Sequence, residues 1–210
     1  MGIKEKSYNF PYWGPFVLET TVGQEFVDLL LEKGNESREK NLDHRKHLAG
    51  MIDNEYHYAD YADWFIPKFN PYVGLYVDAL ESNWFPDNNI SKSYYIKSLW
   101  INYQKANEYN PPHNHSGDLS FVIYLQVPDE IKKENAEVRE MHNNAGPGMI
   151  NFIYGEGIPF SINNYFSLPA TKDIYIFPAW LTHFVHAFKS DVERISVSGN
   201  ILLKRDETSY

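Results

Sequence analysis

The apolar positions of the chain change period near its middle. In the first half they recur at helical spacing: TVGQEFVDLLLEKG sets Phe26, Leu29 and Leu30 along one side, with Gly34 behind them. This pattern predicts an amphipathic helix closed by a glycine stop. A second helix is predicted in PYVGLYVDALESNWF, ending before Pro86, because the residue before a proline is pushed out of the helical region. The opening FPYWGPFVLET reads as an edge strand. The polar, mixed-charge stretch NESREKNLDHRKHLAGMIDNEYHYAD reads as surface loop or partial helix.

From about residue 94 the period becomes two. Strands are predicted in YYIKSLWINYQK, LSFVIYLQVP, GMINFIYG, KDIYIFPAW and ERISVSGNILLK, separated by the turn signals NPP, GPG and GEG. Helices followed by a run of antiparallel strands predict an α+β architecture, with helices buttressing a β-sandwich or barrel. The polar segment 129–148, between two of these strands, reads as an insertion able to act as a mobile lid.

With 210 residues the chain is read as one domain, 1–210, with a helical and loop support region over 1–93 and a β core over 94–203. Aromatics make up 16% of the residues and are spread along the chain, which suits wide β layers. The net charge of −9 argues against a nucleic acid or an anionic membrane as partner. No cysteine is present, so any metal must rest on His, Asp or Glu. The N-terminal MGIKEKSYNFPYW lacks an apolar leader core and no stretch is long and apolar enough to span a bilayer, so a cytoplasmic location is expected. Oligomeric state is left open.

Candidate chemistry begins at NPPHNHSGDLSFVIYL. Side chains at i and i+2 share a face of a strand, so His113 and His115 aim two imidazoles at one point. A third histidine on a facing strand would complete a metal site. Two candidates stand in IYIFPAWLTHFVHAFKSDVERISVSGNIL, His183 and His186. Non-haem iron oxygenases use such a three-point face, ordinarily two His and one carboxylate, with the opposite positions open. Trp100, Tyr103 and Trp180 are further candidates for the pocket wall, whereas His44, His47, His57 and His142 lie in polar stretches and read as surface residues.

In these motifs the chain resembles the Fe(II)- and 2-oxoglutarate-dependent oxygenases, and more narrowly the prolyl-hydroxylase-like oxygenases of marine bacteria and their phages. The resemblance covers residues 94–203. It rests on His113 and His115 before VIYL, on His183 in FPAWLTHFV, and on the Arg-x-Ser of ERISVSGN. It implies a double-stranded β-helix (jelly-roll, cupin-like) core with supporting N-terminal helices, and Fe(II) and 2-oxoglutarate as cofactors. His113, His115 and His183 would be the metal ligands. Arg194, with Ser196 and the Tyr124 hydroxyl as further donors, would hold the far carboxylate of 2-oxoglutarate. Dioxygen and a peptidyl residue or small molecule would be the co-substrates, with succinate and CO2 released.

The chain departs from the family at one place, where His115 stands for the usual Asp. Either the site has three histidines or Asp118 swings back from the SGD turn; spacing favours His115. Three neutral imidazoles leave the site more positive by one charge. The alternatives are a cupin-type metalloenzyme that does not use 2-oxoglutarate, and a non-catalytic binding module with a degenerate site.

Overall fold

The computed structural model describes residues 14–84, 90–142 and 145–204. Two antiparallel sheets form the core. The larger joins β1 (Leu18–Thr21), β2 (Glu55–His57), β3 (Tyr94–Gln104), β5 (Leu119–Gln126), β8 (Asp173–Pro178) and β10 (Arg194–Leu203) in the order β1-β8-β5-β10-β3-β2. The smaller joins β4 (Asn110–His113), β6 (Ile150–Ile153), β7 (Asn164–Ser167) and β9 (Thr182–Val185) in the order β4-β9-β6-β7. This is the jelly-roll arrangement of the α+β reading, and each of the five strands expected from the period-two stretches is present. β1 occupies a sheet edge, as expected; residues 10–13 of its predicted stretch lie outside the described residues.

Alternation along the large sheet separates two environments. Leu99, Ile101, Tyr103, Phe121, Ile123, Ile174, Ile176, Ile195 and Val197 point outward onto the helices and form the main apolar cluster. Their neighbours Val122, Tyr124, Tyr175 and Phe177 point inward and meet Ile150, Phe152, Leu181 and Val185 of the small sheet and its flanks. Helix α1 (Gln24–Glu39) contributes Phe26, Val27 and Leu30 to the outer cluster, and α2 (Ala62–Trp84) contributes Phe65, Phe69, Val73, Tyr76 and Val77 at helical spacing. The Phe69 ring lies 4.3 Å from that of Phe121, so the helix layer grips the sheet directly beneath the strand that follows the paired histidines.

Three expectations change. Gly34 does not stop α1, which runs on to Glu39. A Cβ at Gly34 would overlap Ile101 Cδ1 and approach the Tyr58 and Tyr103 hydroxyls at 3.1 and 3.2 Å, so the glycine marks close contact between helix and sheet. Helix α2 begins nine residues before the predicted stretch, with Pro67 and Pro71 on its exposed side. The expected lid is largely a helix, α3 (Asp129–Met141), held against the body: Ile131 is fully buried, and Glu134 accepts hydrogen bonds from the Lys189 and Ser190 N–H groups and the Ser190 hydroxyl. Among the described residues no helix is long and apolar enough to cross a membrane.

Candidate metal centre

β4 pairs antiparallel with β9, and in that register His113 faces His183. His115 lies just beyond β4 and its backbone N–H donates to Ala179 O at 2.8 Å, which keeps it in line with the strand. The ring centroids stand 4.3 Å apart for His113 and His183, 4.8 Å for His113 and His115, and 5.1 Å for His115 and His183. One nitrogen from each ring lies within 4.8 Å of the other two, the spacing of ligands around one ion. The structure therefore brings together the pair joined by spacing, His113 and His115, and His183, the histidine that the resemblance implies.

Their hydrogen bonds orient the rings. His113 Nδ1 lies 2.7 Å from Pro111 O and His183 Nδ1 lies 3.0 Å from Leu181 O. A carbonyl can only accept, so Nδ1 carries the proton and the Nε2 lone pair is free for a ligand. Burial keeps the imidazoles neutral. It pulls His183 down to about 3, with the charge of His113 adding to the effect, and His115 down to about 4, again with His113 adding. Burial also lowers His113, opposed by its bond to Pro111. A metal thus meets deprotonated donors throughout the neutral range.

The competing candidates lie elsewhere. His186 is three residues from His183 on the chain; its ring packs on Phe184, and it is not part of the cluster. The Asp118 carboxylate accepts the Leu203 N–H at 2.8 Å and does not join the histidines. The His44 ring lies 5.1 Å from that of His47, 5.7 Å from that of His57 and 6.1 Å from that of Trp100, and none of these three histidines belongs to the triad. His142 follows α3 and is exposed.

The histidines open onto a cavity between the sheets whose wall includes Tyr124, Arg194 and Ser196. Arg194 is 3% exposed. It donates from Nη1 to Gly148 O at 2.7 Å and from Nη2 to Gln104 Oε1, its guanidinium lies 5.4 Å from the Tyr124 ring centroid, and its Nε has no hydrogen-bond partner. Glu193, next to Arg194 in the sequence, meets Arg38 at 3.5 Å. Among the described residues no carboxylate forms an ion pair with Arg194. A buried cation in this position is costly until an anion meets it.

Of the aromatic candidates, Trp100 lines the cavity, its ring 5.9 Å from that of His115. Tyr103 does not, because three residues along β3 reverse the face; its hydroxyl bonds Asn35 beneath α1. Trp180 is 53% exposed and lies against Tyr154. Sequence reasoning missed Glu55, Asn102 and Gln104, which also line the cavity. For the last two the signal was present: Asn102 and Gln104 share strand parity with Trp100.

The family model described as "Putative 2OG-Fe(II) oxygenase" matches residues 98–200, about half of the chain. No curated protein matches the sequence. The fold is similar to that of a Pseudomonas putida prolyl-4-hydroxylase, with a TM-score of 0.57 at 12% identity over 90% of this chain and 92% of that one. It is also similar to the viral collagen prolyl hydroxylase of Paramecium Bursaria Chlorella virus-1 in its 2OG complex, with a TM-score of 0.55 at 12% identity over 88% and 94%. A prolyl hydroxylase from Trichoplax adhaerens, in complex with a hypoxia inducible factor oxygen degradation domain peptide fragment, matches with a TM-score of 0.53 at 11% identity over 90% and 83%. At such identities the structural likenesses speak for the fold, and the family match speaks for the chemistry. The chain belongs to the 2OG-Fe(II) oxygenases, enzymes that work with Fe(II) and 2-oxoglutarate.

Proposed function

We propose that this oxygenase hydroxylates a peptidyl residue or a small molecule, with release of succinate and CO2, and that His113, His115 and His183 hold the iron while Arg194, Ser196 and Tyr124 hold 2-oxoglutarate. The observation that carries the reading is the juxtaposition, in one cavity, of three neutral imidazoles with converging nitrogens and a buried guanidinium that has no counter-charge. The donor set fits a borderline divalent ion such as Fe(II). The orphaned Nε of Arg194 fits a dicarboxylate whose far end reaches into the sheet.

When bound, the iron and 2-oxoglutarate supply the oxidising power to cleave dioxygen and place one oxygen atom on the substrate. The protein supplies position. Pro111 O and Leu181 O fix the tautomers of two ligands, and Phe177, with its ring 4.8 Å from that of His183, shields the metal face from water. Gly148 O and Gln104 Oε1 hold the Arg194 plane, so the guanidinium meets a carboxylate with little loss of side-chain freedom. The peptidyl alternative draws support from the fold neighbours, which are named as prolyl hydroxylases, one of them bound to a peptide fragment.

The test is an anaerobic titration of the Fe(II)-loaded protein with 2-oxoglutarate, following the weak visible charge-transfer band that chelation produces. A band that is lost in His183→Ala supports the proposal. Fe(II) binding without a band favours the cupin-type reading, which the three-histidine donor set also suits. Failure to bind Fe(II) would reduce the triad to a structural cluster.

A further inference from the structure

Glu55 stands on β2 at the edge of the large sheet, opposite Asn102 of β3 in the pairing register. Asn102 in turn faces Ser196 of β10, and Ser196 faces Tyr124 of β5, so these four residues form one row across the inner face of the sheet. Glu55 is 1% exposed and lines the same cavity as the histidine triad and Arg194. Its Oε2 has no hydrogen-bond partner. The Oδ1 of Asn102 is likewise buried without a partner, while the other end of that amide, Nδ2, donates to Ser196 Oγ at 3.3 Å. Two orphaned acceptors therefore sit on register neighbours.

The surrounding charges do not compensate them. Arg45 is committed to Asp43, with Nε and Nη2 donating at 3.0 and 2.8 Å. Glu108, whose charge faces Glu55, accepts the Asp53 and Lys105 N–H groups at 3.0 and 2.7 Å. Gly50 closes over the carboxyl: a Cβ there would lie 2.8 Å from Glu55 Oε1 and 2.6 Å from Asn110 Oδ1. Burial, then the charge of Glu108, pushes the Glu55 carboxyl up to about 8, against a smaller opposing pull from Arg45. A buried carboxyl with an empty lone pair is costly unless a donor meets it. The cavity's anion-binding end is Arg194, on β10; Glu55 lies two strands away, about 10 Å at ordinary strand spacing. A carboxylate on Arg194 would leave Glu55 and Asn102 as the uncompensated pair.

We infer that Glu55 and Asn102 form a recognition site for an amine or guanidinium carried by the substrate. Such a group offers several donors and a positive charge, and it satisfies both orphaned acceptors together. A cation also favours the ionised form of the raised carboxyl, whereas a neutral amide or hydroxyl has fewer donors and brings no charge to do so. Calling the ligand a substrate rests on the oxygenase reading; the cation site itself does not.

The test uses the Fe(II)-loaded protein with 2-oxoglutarate, kept anaerobic, and measures calorimetric binding of propylammonium, ethylguanidinium and the neutral propionamide to wild type and Glu55→Gln. The cations should bind wild type more tightly than propionamide. In the variant they should bind at least tenfold more weakly, with propionamide binding unchanged or improved. The neutral probe serves as the folding control, because Gln keeps the shape of Glu. Equal binding of cations and propionamide to wild type, or cation binding to the variant within twofold of wild type, overturns the inference. Absence of 2-oxoglutarate binding in wild type would instead defeat the oxygenase reading, and the cation comparison would still decide the site. Tighter binding of Nα-acetyl-lysinamide than of propylammonium points to a peptidyl source; weaker or equal binding points to a free amine.

Discussion

Arg194→Met is the most informative perturbation of the proposed cosubstrate site. Methionine keeps much of the length and apolar bulk of the buried side chain, and removes the charge with all of its donors. Loss of a charge-assisted interaction with a carboxylate costs about 1.5–3 kcal/mol, which weakens 2-oxoglutarate by about 10- to 150-fold. The stability of the free protein does not report this directly. The variant orphans Gly148 O and Gln104 Oε1 but also relieves a buried guanidinium without a counter-ion, and these effects oppose one another. The ligand-induced shift in melting temperature separates them. At a 2-oxoglutarate concentration 100 times the wild-type Kd, binding stabilises the fold by about 2.7 kcal/mol; after a 100-fold loss of affinity the same concentration gives about 0.4 kcal/mol. For a chain of this size that is a shift of roughly 5–11 °C against roughly 1–2 °C. Anaerobic scans of the Fe(II)-loaded proteins, with and without 2-oxoglutarate, measure it. Equal shifts for the two proteins, with stoichiometric Fe(II) in both, would refute the role given to Arg194.

His183→Ala should abolish stoichiometric Fe(II) binding while His186→Ala keeps it, read by metal analysis after desalting; loss in both, or in neither, removes His183 as the distal ligand. Gly34→Ala should lower stability by about 1 kcal/mol in urea unfolding, because overlap with Ile101 costs roughly 1–3 kcal/mol and outweighs the helix-propensity gain of about 1 kcal/mol; an unchanged or higher midpoint contradicts that reading of the contact. The raised Glu55 carboxyl makes stability depend on pH. The unfolded chain loses this proton near its ordinary value of about 4.3, whereas the folded protein holds it to about 8, so this contribution is intact below the unfolded value and declines as pH rises toward 8. Wild type should therefore lose stability relative to Glu55→Gln between about pH 5 and 8, and parallel urea profiles for the two proteins would count against the buried, unpaired carboxyl.

The sequence by itself determined what depends on local period and fixed spacing. Period two set out the strands LSFVIYL and ERISVSGN, because a strand turns successive side chains to opposite sides, and the resemblance carried by VIYL and the Arg-x-Ser gave Tyr124, Arg194 and Ser196 their place in the site. The same rule joined His113 to His115 across one intervening residue. Some of the short strands escaped it: β7 and β9, with four residues each, and β4, which begins in NPP and reads as a turn. Gly34 read as a helix stop because local sequence carries no trace of Ile101 pressing on that face. Only the tertiary structure decided which strands became neighbours. Antiparallel register brought His183 to His113 from about seventy residues away, set Gln104 against Arg194, and aligned Glu55 with Asn102. Burial was decided there too. Glu55 reads as an ordinary surface acid in DNEYHY, and it becomes a buried carboxyl facing the cavity because β2 closes the edge of the large sheet beneath Gly50.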